Sequence, residues 1–428
     1  MPDTALLPDL ALLPAAGLGR VVVVGLGYVG RPLALEAAAS GFDVTGFDLD
    51  PMAVVAAEAA WRATPPAPGA ARLAATVDPG CLPAAETWLI CVPTPLDADG
   101  RPDLSAVAAA LATCRAQIPR GGLACLVSTC QPGATNGLCR RVLERDGWQV
   151  GRDVFLAVSP ERENPGDAAL GPRRIPRLLG APDDASLLRA RRFWDRVTDR
   201  VVPVASPEIA ECAKLLENTY RLVNIALIDE LHRSFAALGV PTRAVVAAAS
   251  TKPFGFAPFW PGLGAGGHCI PVDPAYLQME ARRAGAPSAL LDAALAANRA
   301  RPGRALAAIA GAFGGSLAGR RILVAGVTYK PDVADLRGAA PVALLHGLRA
   351  CGAEAAWWDP LVEECPGELA GLPRADDPSG QGWAAPEAIV LGTPHRGLDL
   401  AGLARLAPMV FDPFGLVPPD AEGRVRVL

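Results

Sequence analysis

The stretch Gly264-Ala265-Gly266-Gly267-His268-Cys269-Ile270-Pro271-Val272-Asp273-Pro274 puts a thiol behind three glycines and a histidine, with a carboxylate four residues on. A cysteine thiolate attacks carbonyl carbon and forms covalent intermediates. Glycines ahead of it let a loop approach a bulky substrate closely. A structural cysteine needs none of these neighbours. His268 either tunes the thiol or shapes the loop.

A compositional bias marks further positions. Of 40 basic residues, only Lys214, Lys252 and Lys330 are lysine. A compact ammonium does work that a planar guanidinium fork cannot, which is one reason to keep lysine in an arginine-rich chain. All three lie in motifs quoted below, as do the four tyrosines, Tyr28, Tyr220, Tyr276 and Tyr329.

A second chemistry is written near the N-terminus. The β-branched run Arg20–Val24 leads into Gly25-Leu26-Gly27-Tyr28-Val29-Gly30, then a helical pattern stopping at Gly41. A second strand, Asp43 to Asp48, ends on an acid 18 residues after Gly30. Strand, glycine turn, helix, strand and acid make a dinucleotide-binding pattern. The glycines allow close approach to a pyrophosphate, and the helix N-terminus favours its charge. Asp48 would accept from an adenosine ribose, which favours NAD over NADP. NAD is the expected cofactor.

These residues need elements to hold them. Strand-like runs at 88–92, 123–127 and 154–158 end at Thr94, Ser128-Thr129 and Ser159-Pro160-Glu161. Ligands gather at the carboxyl ends of strands in an open α/β sheet. Thr94, Thr129 and Glu161 are expected to converge there; for Thr94 and Ser128, helix capping is the competing reading. Ser206 and Pro207 then open a helical pattern that stops at Gly239. That is about 32 residues, or about 48 Å. Lys214, Asn218 and Arg221 share one face of it. Glu217, Tyr220 and Asn224 stand among its apolar residues, so much of the helix is expected to be enclosed. A further α/β unit follows residue 300, with strands at 321–327, 354–359 and 388–392 but no Gly-x-Gly-x-x-Gly. The segment after Cys351 reads as loop-rich. The fold class is α/β, with two Rossmann-like doubly wound domains joined by a long central helix.

Composition bounds the rest. The chain has 428 residues, half of them apolar, and a net charge of −4. No basic block supports nucleic-acid binding, and no apolar run is long enough for a bilayer. The start, MPDTALLPDLALLPAAGLGR, carries acids and prolines and reads as a short tail rather than a signal peptide. Ten cysteines show no C-x-x-C pair, and the four histidines are far apart. No metal site is expected, and a reducing cytoplasm is the expected compartment.

The motifs VVVVGLGYVGRPLA, ICVPTPLDADGRPDLSAV, VSTCQPGAT, SPERENPGD, AKLLENTYRLVNIALIDEL, TKPFGFAPFWPGLGAGGHCIPVDPAYL and GVTYKPDVADLR, in this order, resemble the UDP-glucose/GDP-mannose dehydrogenase family. The likeness runs from Arg20 to about Asp412 and is greatest to bacterial UDP-N-acetylhexosamine 6-dehydrogenases. It implies an NAD-binding domain (20–205) after an N-terminal tail (1–19). A central helical dimerisation region with the cysteine loop (206–300) and a sugar-nucleotide domain (301–428) follow. It also implies a homodimer and four-electron oxidation of a nucleotide-sugar C6 alcohol to the acid. Cys269 matches the nucleophile. Lys214 and Asn218 match the oxyanion-stabilising pair, Asp273 and Thr129 the groups that orient water, and Glu161 the acid/base carboxylate. Arg162, Glu163 and Asn164 match the sugar side; Phe254, Phe256 and Gly266 match the nucleotide and diphosphate side. Lys330 matches a substrate lysine and Arg337 an arginine near the cofactor. Lys252, in TKPFGF, matches a loop-positioning lysine.

This chain also departs from the family. Gly338-Ala339-Ala340-Pro341 follows Arg337 where the family usually reads Glu-Ser-Pro, and Asp412-Pro413-Phe414-Gly415 replaces Asp-Thr-Arg-Asn. These changes fall in the second domain, so a UDP- or dTDP-glucose substrate is the alternative to a UDP-N-acetylhexosamine. A single-step β-hydroxyacid-type dehydrogenase is the rival reaction; it has no need of Cys269. A protein that only binds NAD or a sugar nucleotide is the other rival. It would be expected to lose the nucleophile or Lys214.

Overall fold

Consecutive valines at 21–24 cannot alternate between core and water, so the strand they form must be covered on both faces. The computed structural model describes residues 19–63, 72–97, 99–163, 171–363, 367–418 and 423–428. The expected N-terminal tail and Asn164 lie outside them. Val21, Val22 and Val23 have no solvent exposure, as a strand covered on both faces requires. The described residues form two compact units.

The first unit comprises the described residues within 19–94, 104–128 and 133–210. Its strands are β1 (Arg20–Val24), β2 (Asp43–Phe47), β3 (Leu73–Thr76), β4 (Thr87–Ile90), β5 (Leu123–Leu126) and β6 (Phe155–Val158). They pair in the order β3-β2-β1-β4-β5-β6, all parallel. This is the dinucleotide-binding order, whose direction reverses between β1 and β4. The helices are α1 (Gly30–Ala39), α2 (Pro51–Ala63), α3 (Ser105–Gln117), α4 (Arg140–Leu143) and α5 (Asp184–Val197). A parallel pair, β7 (Arg177–Leu179) and β8 (Val201–Pro203), stands apart from the main sheet. Leu33, Phe42, Phe193 and Trp194 pack with β1 and β5 in the core.

The second unit comprises the described residues within 95–103, 129–132 and 211–428. The division falls inside α6 (Pro207–Ala237), the 31-residue helix that Ser206-Pro207 and Gly239 bracket in the sequence. The expected enclosure of α6 holds on one side only. Leu222 and Ala226 are buried against α9 (Ala289–Ala312), whereas Leu216, Tyr220 and Leu227 are each more than half exposed. Helices α7 (Thr242–Ala249) and α8 (Asp273–Arg283) precede α9. Then come β9 (Arg321–Ala325), α10 (Ala340–Ala350), β10 (Glu354–Trp358), β11 (Ala388–Leu391), α11 (Leu400–Leu406), β12 (Met409–Asp412) and β13 (Val425–Val427). The sheet is parallel, in the order β10-β9-β11-β12-β13. That is the other common doubly wound order. Between β10 and β11 the only described helical element is a three-residue turn at Gly367–Leu369, which agrees with a loop-rich reading.

Candidate active site

In the first unit the glycine turn has a specific reason for each glycine. Gly25 has φ +93°, and a Cβ there would lie 2.5 Å from Cys91 O. A Cβ on Gly30 would lie 1.8 Å from Gly25 O. At Gly27 nothing stands within 4 Å, so its backbone faces open space. Asp48 holds the turn, accepting from Leu26 N at 2.7 Å and from Asp50 N at 2.9 Å. Each carboxylate oxygen keeps a second lone pair. Tyr28 is 46% exposed and Val29 partly exposed. Leu49 and Met52, exposed beside Asp48, and Val77 at the end of β3 make an apolar fringe. This donor set fits a dinucleotide: an open backbone cradle at a helix N-terminus, a carboxylate for a ribose and apolar surface for a base. The fringe escaped the sequence reading; its signal was large apolar residues directly after a sheet acid.

Glu161, Arg162 and Glu163 follow β6 in the same unit. Glu161 N donates to Val127 O at 3.2 Å, and Arg162 Nη1 to Pro176 O at 2.8 Å. Arg177 is 2% exposed, lies 4.4 Å from the Trp194 ring, and pairs with Glu163 at 3.7 Å. Thr94, after β4, is buried.

The second unit carries Thr129, Lys214, Asn218, Cys269 and Asp273. Lys214 is 5% exposed and sits one helical turn before Asn218 on α6. Asn218 Nδ2 donates to Asp273 Oδ2, and Asp273 N donates to Cys269 O at 2.9 Å. The Asp273 side chain is in the first turn of α8, where a carboxylate is favoured by the helix dipole. Cys269 is exposed. Arg221, expected on the same face as Lys214 and Asn218, is exposed to solvent. A buried cation, an amide, a carboxylate and an accessible thiol carrier are thus linked through α6 and the head of α8. Those groups suit covalent attack on a carbonyl and stabilisation of an oxyanion.

The cysteine loop, 251–272, has no helix or strand of its own. Helix α9 restrains it: Asn298 accepts from Ala265 N at 2.7 Å and donates to Ala265 O at 3.0 Å. Arg301 Nε donates to Gly262 O at 2.6 Å, and Asp229 of α6 accepts from Gly262 N at 3.1 Å. Asp229 and Arg301 are both buried, 3.8 Å apart. Burial pushes Asp229 up to about 6 although Arg301 opposes it. Asn298, Arg301 and Asp229 were absent from the sequence reading; for the first two the available signal was polar residues three apart in the Ala-rich α9. Gly267 N donates to Arg337 O at 3.0 Å. A Cβ on Gly266 would lie 2.6 Å from Gly338 O, and one on Gly267 2.9 Å from the Tyr329 ring. These glycines are therefore required by the loop's own packing. Gly338, the departure after Arg337, has φ +60°, a conformation that glycine adopts without strain. Phe254 is 71% and Phe256 42% exposed, and Lys252 Nζ lies 4.9 Å from the Phe254 ring. Arg337 is ion-paired with Asp335 at 2.7 Å.

Three family models of the UDP-glucose/GDP-mannose dehydrogenases match this chain. The NAD binding domain matches residues 19–198, the central domain 208–300 and the UDP binding domain 323–418. The UDP-N-acetyl-D-glucosamine 6-dehydrogenase of Pseudomonas aeruginosa is 33% identical over 356 residues, 80% of this chain and 83% of that one. Its namesake in Salmonella typhi is 29% identical over 95% of this chain and 98% of its own. The solved UDP-glucose dehydrogenase of Pyrobaculum islandicum superposes with a TM-score of 0.83 at 26% identity, covering 97% of this chain and 98% of that one. No helix among the described residues is long and apolar enough to cross a membrane. The chain belongs to the UDP-glucose/GDP-mannose dehydrogenase family and is an NAD-dependent nucleotide-sugar dehydrogenase.

Proposed function

We propose that this enzyme oxidises the C6 alcohol of a UDP-N-acetylhexosamine to the uronic acid through a thioester on Cys269. The observation that carries the reading is the chain of contacts from α6 through Asn218 and Asp273 to the backbone of an exposed cysteine. Two NAD molecules, bound in turn at the glycine turn, would supply the hydride acceptors, one for each oxidation. The alcohol first loses a hydride and a proton to become an aldehyde. The Cys269 thiolate then adds to the carbonyl carbon, and the new alkoxide takes a proton to give a thiohemiacetal. Loss of a second hydride and a proton leaves a thioester. Water cleaves the C–S bond, releasing the acid and regenerating the thiol.

Lys214 and Asn218 stabilise the oxyanion that forms at each addition. Asp273 and Thr129 orient the water, and Glu161 serves as acid and base during hydrolysis. Arg162, Glu163 and Asn164 hold the sugar; Phe254, Phe256, Gly266 and Lys330 hold the nucleotide and diphosphate; Arg337 lies by the cofactor. Gly25, Gly27, Tyr28, Val29, Gly30, Asp48, Thr94 and Thr129 form the NAD site. The relatives' names favour an N-acetylhexosamine, and the altered residues 338–341 and 412–415 keep UDP- or dTDP-glucose as the alternative. The compartment is the reducing cytoplasm, where a catalytic thiol stays free. The assembly is a homodimer through the exposed stripe of α6.

The test is rapid-quench mass spectrometry during turnover with UDP-GlcNAc, UDP-ManNAc, UDP-glucose and dTDP-glucose. An acyl adduct on the Cys269 peptide with one of these sugars is expected. Acid formation with no adduct at any quench time, and undiminished in Cys269→Ala, would reject the mechanism.

A further inference from the structure

The turn after β9 repeats the hydrogen bonds of the turn after β1. Gly25 N donates to Phe47 O at 2.8 Å and Leu26 N to Asp48 Oδ2 at 2.7 Å; Gly326 N donates to Trp358 O at 2.7 Å and Val327 N to Asp359 Oδ2 at 2.7 Å. In both, the second carboxylate oxygen takes the N–H two residues on, Asp50 at 2.9 Å and Leu361 at 2.8 Å. Gly326 has φ +85°, and a Cβ there would lie 2.3 Å from Thr393 O, as one on Gly25 would crowd Cys91 O. The second unit thus keeps a dinucleotide-type turn although its sequence lacks the three-glycine motif.

The two acids differ in what faces them. Asp48 is partly exposed. Asp359 is 2% exposed and His395, 5% exposed, covers it. His395 Nδ1 accepts from Asp332 N at 2.9 Å, so in the neutral ring the proton is on Nε2, 3.0 Å from Asp359 Oδ2. Burial pushes the Asp359 carboxyl up, but hydrogen bonds from His395, Val327 and Leu361 outweigh it and hold the group below its ordinary range. At this place in a dinucleotide-binding turn the acid accepts from a ribose hydroxyl. Here an imidazole of the chain itself occupies the acid.

The same imidazole reaches the segment that carries Lys330. Thr328 Oγ1 donates to Lys330 O at 3.0 Å and lies 3.3 Å from His395 Nε2. Thr393 Oγ1 donates to Thr328 O. Asp332 has φ +63°, one of two described non-glycine residues in the left-handed region. Its N–H is held by His395, and its carboxylate by the N–H and guanidinium of Arg396. A strained conformation persists where its surroundings over-determine it, and such places cluster at ligand clamps.

We propose that His395 is a positioning residue for nucleotide-sugar binding. Its ring fills the ribose place of a dinucleotide-type turn and clamps the 328–332 segment so that Lys330 is presented in one conformation. This rests on the reading of Lys330 as a substrate lysine. A preordered segment binds without an ordering cost, so losing the clamp weakens the nucleotide diphosphate and leaves the cofactor untouched.

The test uses the full chain, with UDP binding followed by calorimetry and NADH binding by fluorescence. His395→Asn keeps an acceptor near the Nδ1 position, His395→Gln keeps a polar group only near Nε2, and His395→Phe keeps neither. The Gln and Phe variants are expected to bind UDP about tenfold more weakly, as for one lost buried hydrogen bond. The Asn variant should stay within about threefold of wild type, and NADH affinity should change less than about twofold in all three. Wild-type UDP affinity in the Gln and Phe variants, with Lys330→Met weakened, would overturn the role of His395 and leave Lys330 standing. Wild-type affinity in Lys330→Met would instead remove the reading on which the role rests. Should the Phe variant fail to fold, the Asn–Gln contrast decides, and wild-type UDP binding in both rejects the proposal.

Discussion

Cys269 is open to solvent while Lys214, the proposed cation beside it in the chemistry, is almost completely buried. That difference suits their tasks: a nucleophile must be reached, and a charge stabilises an oxyanion most where water is excluded. An ammonium on a flexible stem can follow a charge that shifts between steps, whereas a guanidinium presents a fixed planar fork. Lys214→Arg is therefore expected to lower kcat by about 100-fold or more with little change in melting temperature. Near-wild-type turnover would count against this role. Cys269, Asp273 and the glycine turn are marked in the sequence by residue type and spacing, and Lys214 by the rarity of lysine among the basic residues. Asn298 and His395 were not, because each acts through partners 33 and 63 positions away.

At the scale of elements, the cysteine loop depends on α6 and α9. Asn298→Ala leaves both polar groups of Ala265 without that partner and should cost about 1–3 kcal/mol in urea unfolding, with a matching loss of kcat/KM. Asp229 has a raised folded value, about 6 against 3.8 for an ordinary aspartate. The folded protein thus holds this proton more tightly than the unfolded chain does. The stability associated with it is fully present below the unfolded value and is lost as pH rises through about 6. The stability of Asp229→Asn should consequently gain on wild type between pH 4 and pH 6, as read by denaturant titration at each pH; a difference constant across that window would show that the carboxyl is not raised. Strands β1, β2, β4, β5, β6, β9, β10 and β11 were readable as short apolar or β-branched runs bounded by turn residues, and the full extent of α6 from its Pro–Gly bracket. Strand β3, Leu-Ala-Ala-Thr, was not: it is half alanine with no large apolar residue beyond Leu73, and pairing with β2 makes it a strand.

At the scale of the molecule, α6 exposes Ile209, Leu216, Tyr220, Leu227 and Leu231, and Leu238 follows directly after its last residue. Their spacings alternate between seven and four residues, which keeps them on one side of a helix. Such a stripe fits the same stripe on a second copy in a two-fold interface. The double substitution Leu227→Glu and Leu231→Glu should halve the sedimenting mass at micromolar concentration. A wild-type protein that already sediments as a monomer would contradict the proposed dimer.

A four-electron oxidation is tested by its stoichiometry. The enzyme is mixed with NAD and a limiting amount of the sugar nucleotide it accepts, and NADH and product acid are both quantified. Two NADH per acid are predicted, with acid formation lost in Cys269→Ala. One NADH per sugar, with an aldehyde or ketone as product, would show that the enzyme stops after a single two-electron oxidation.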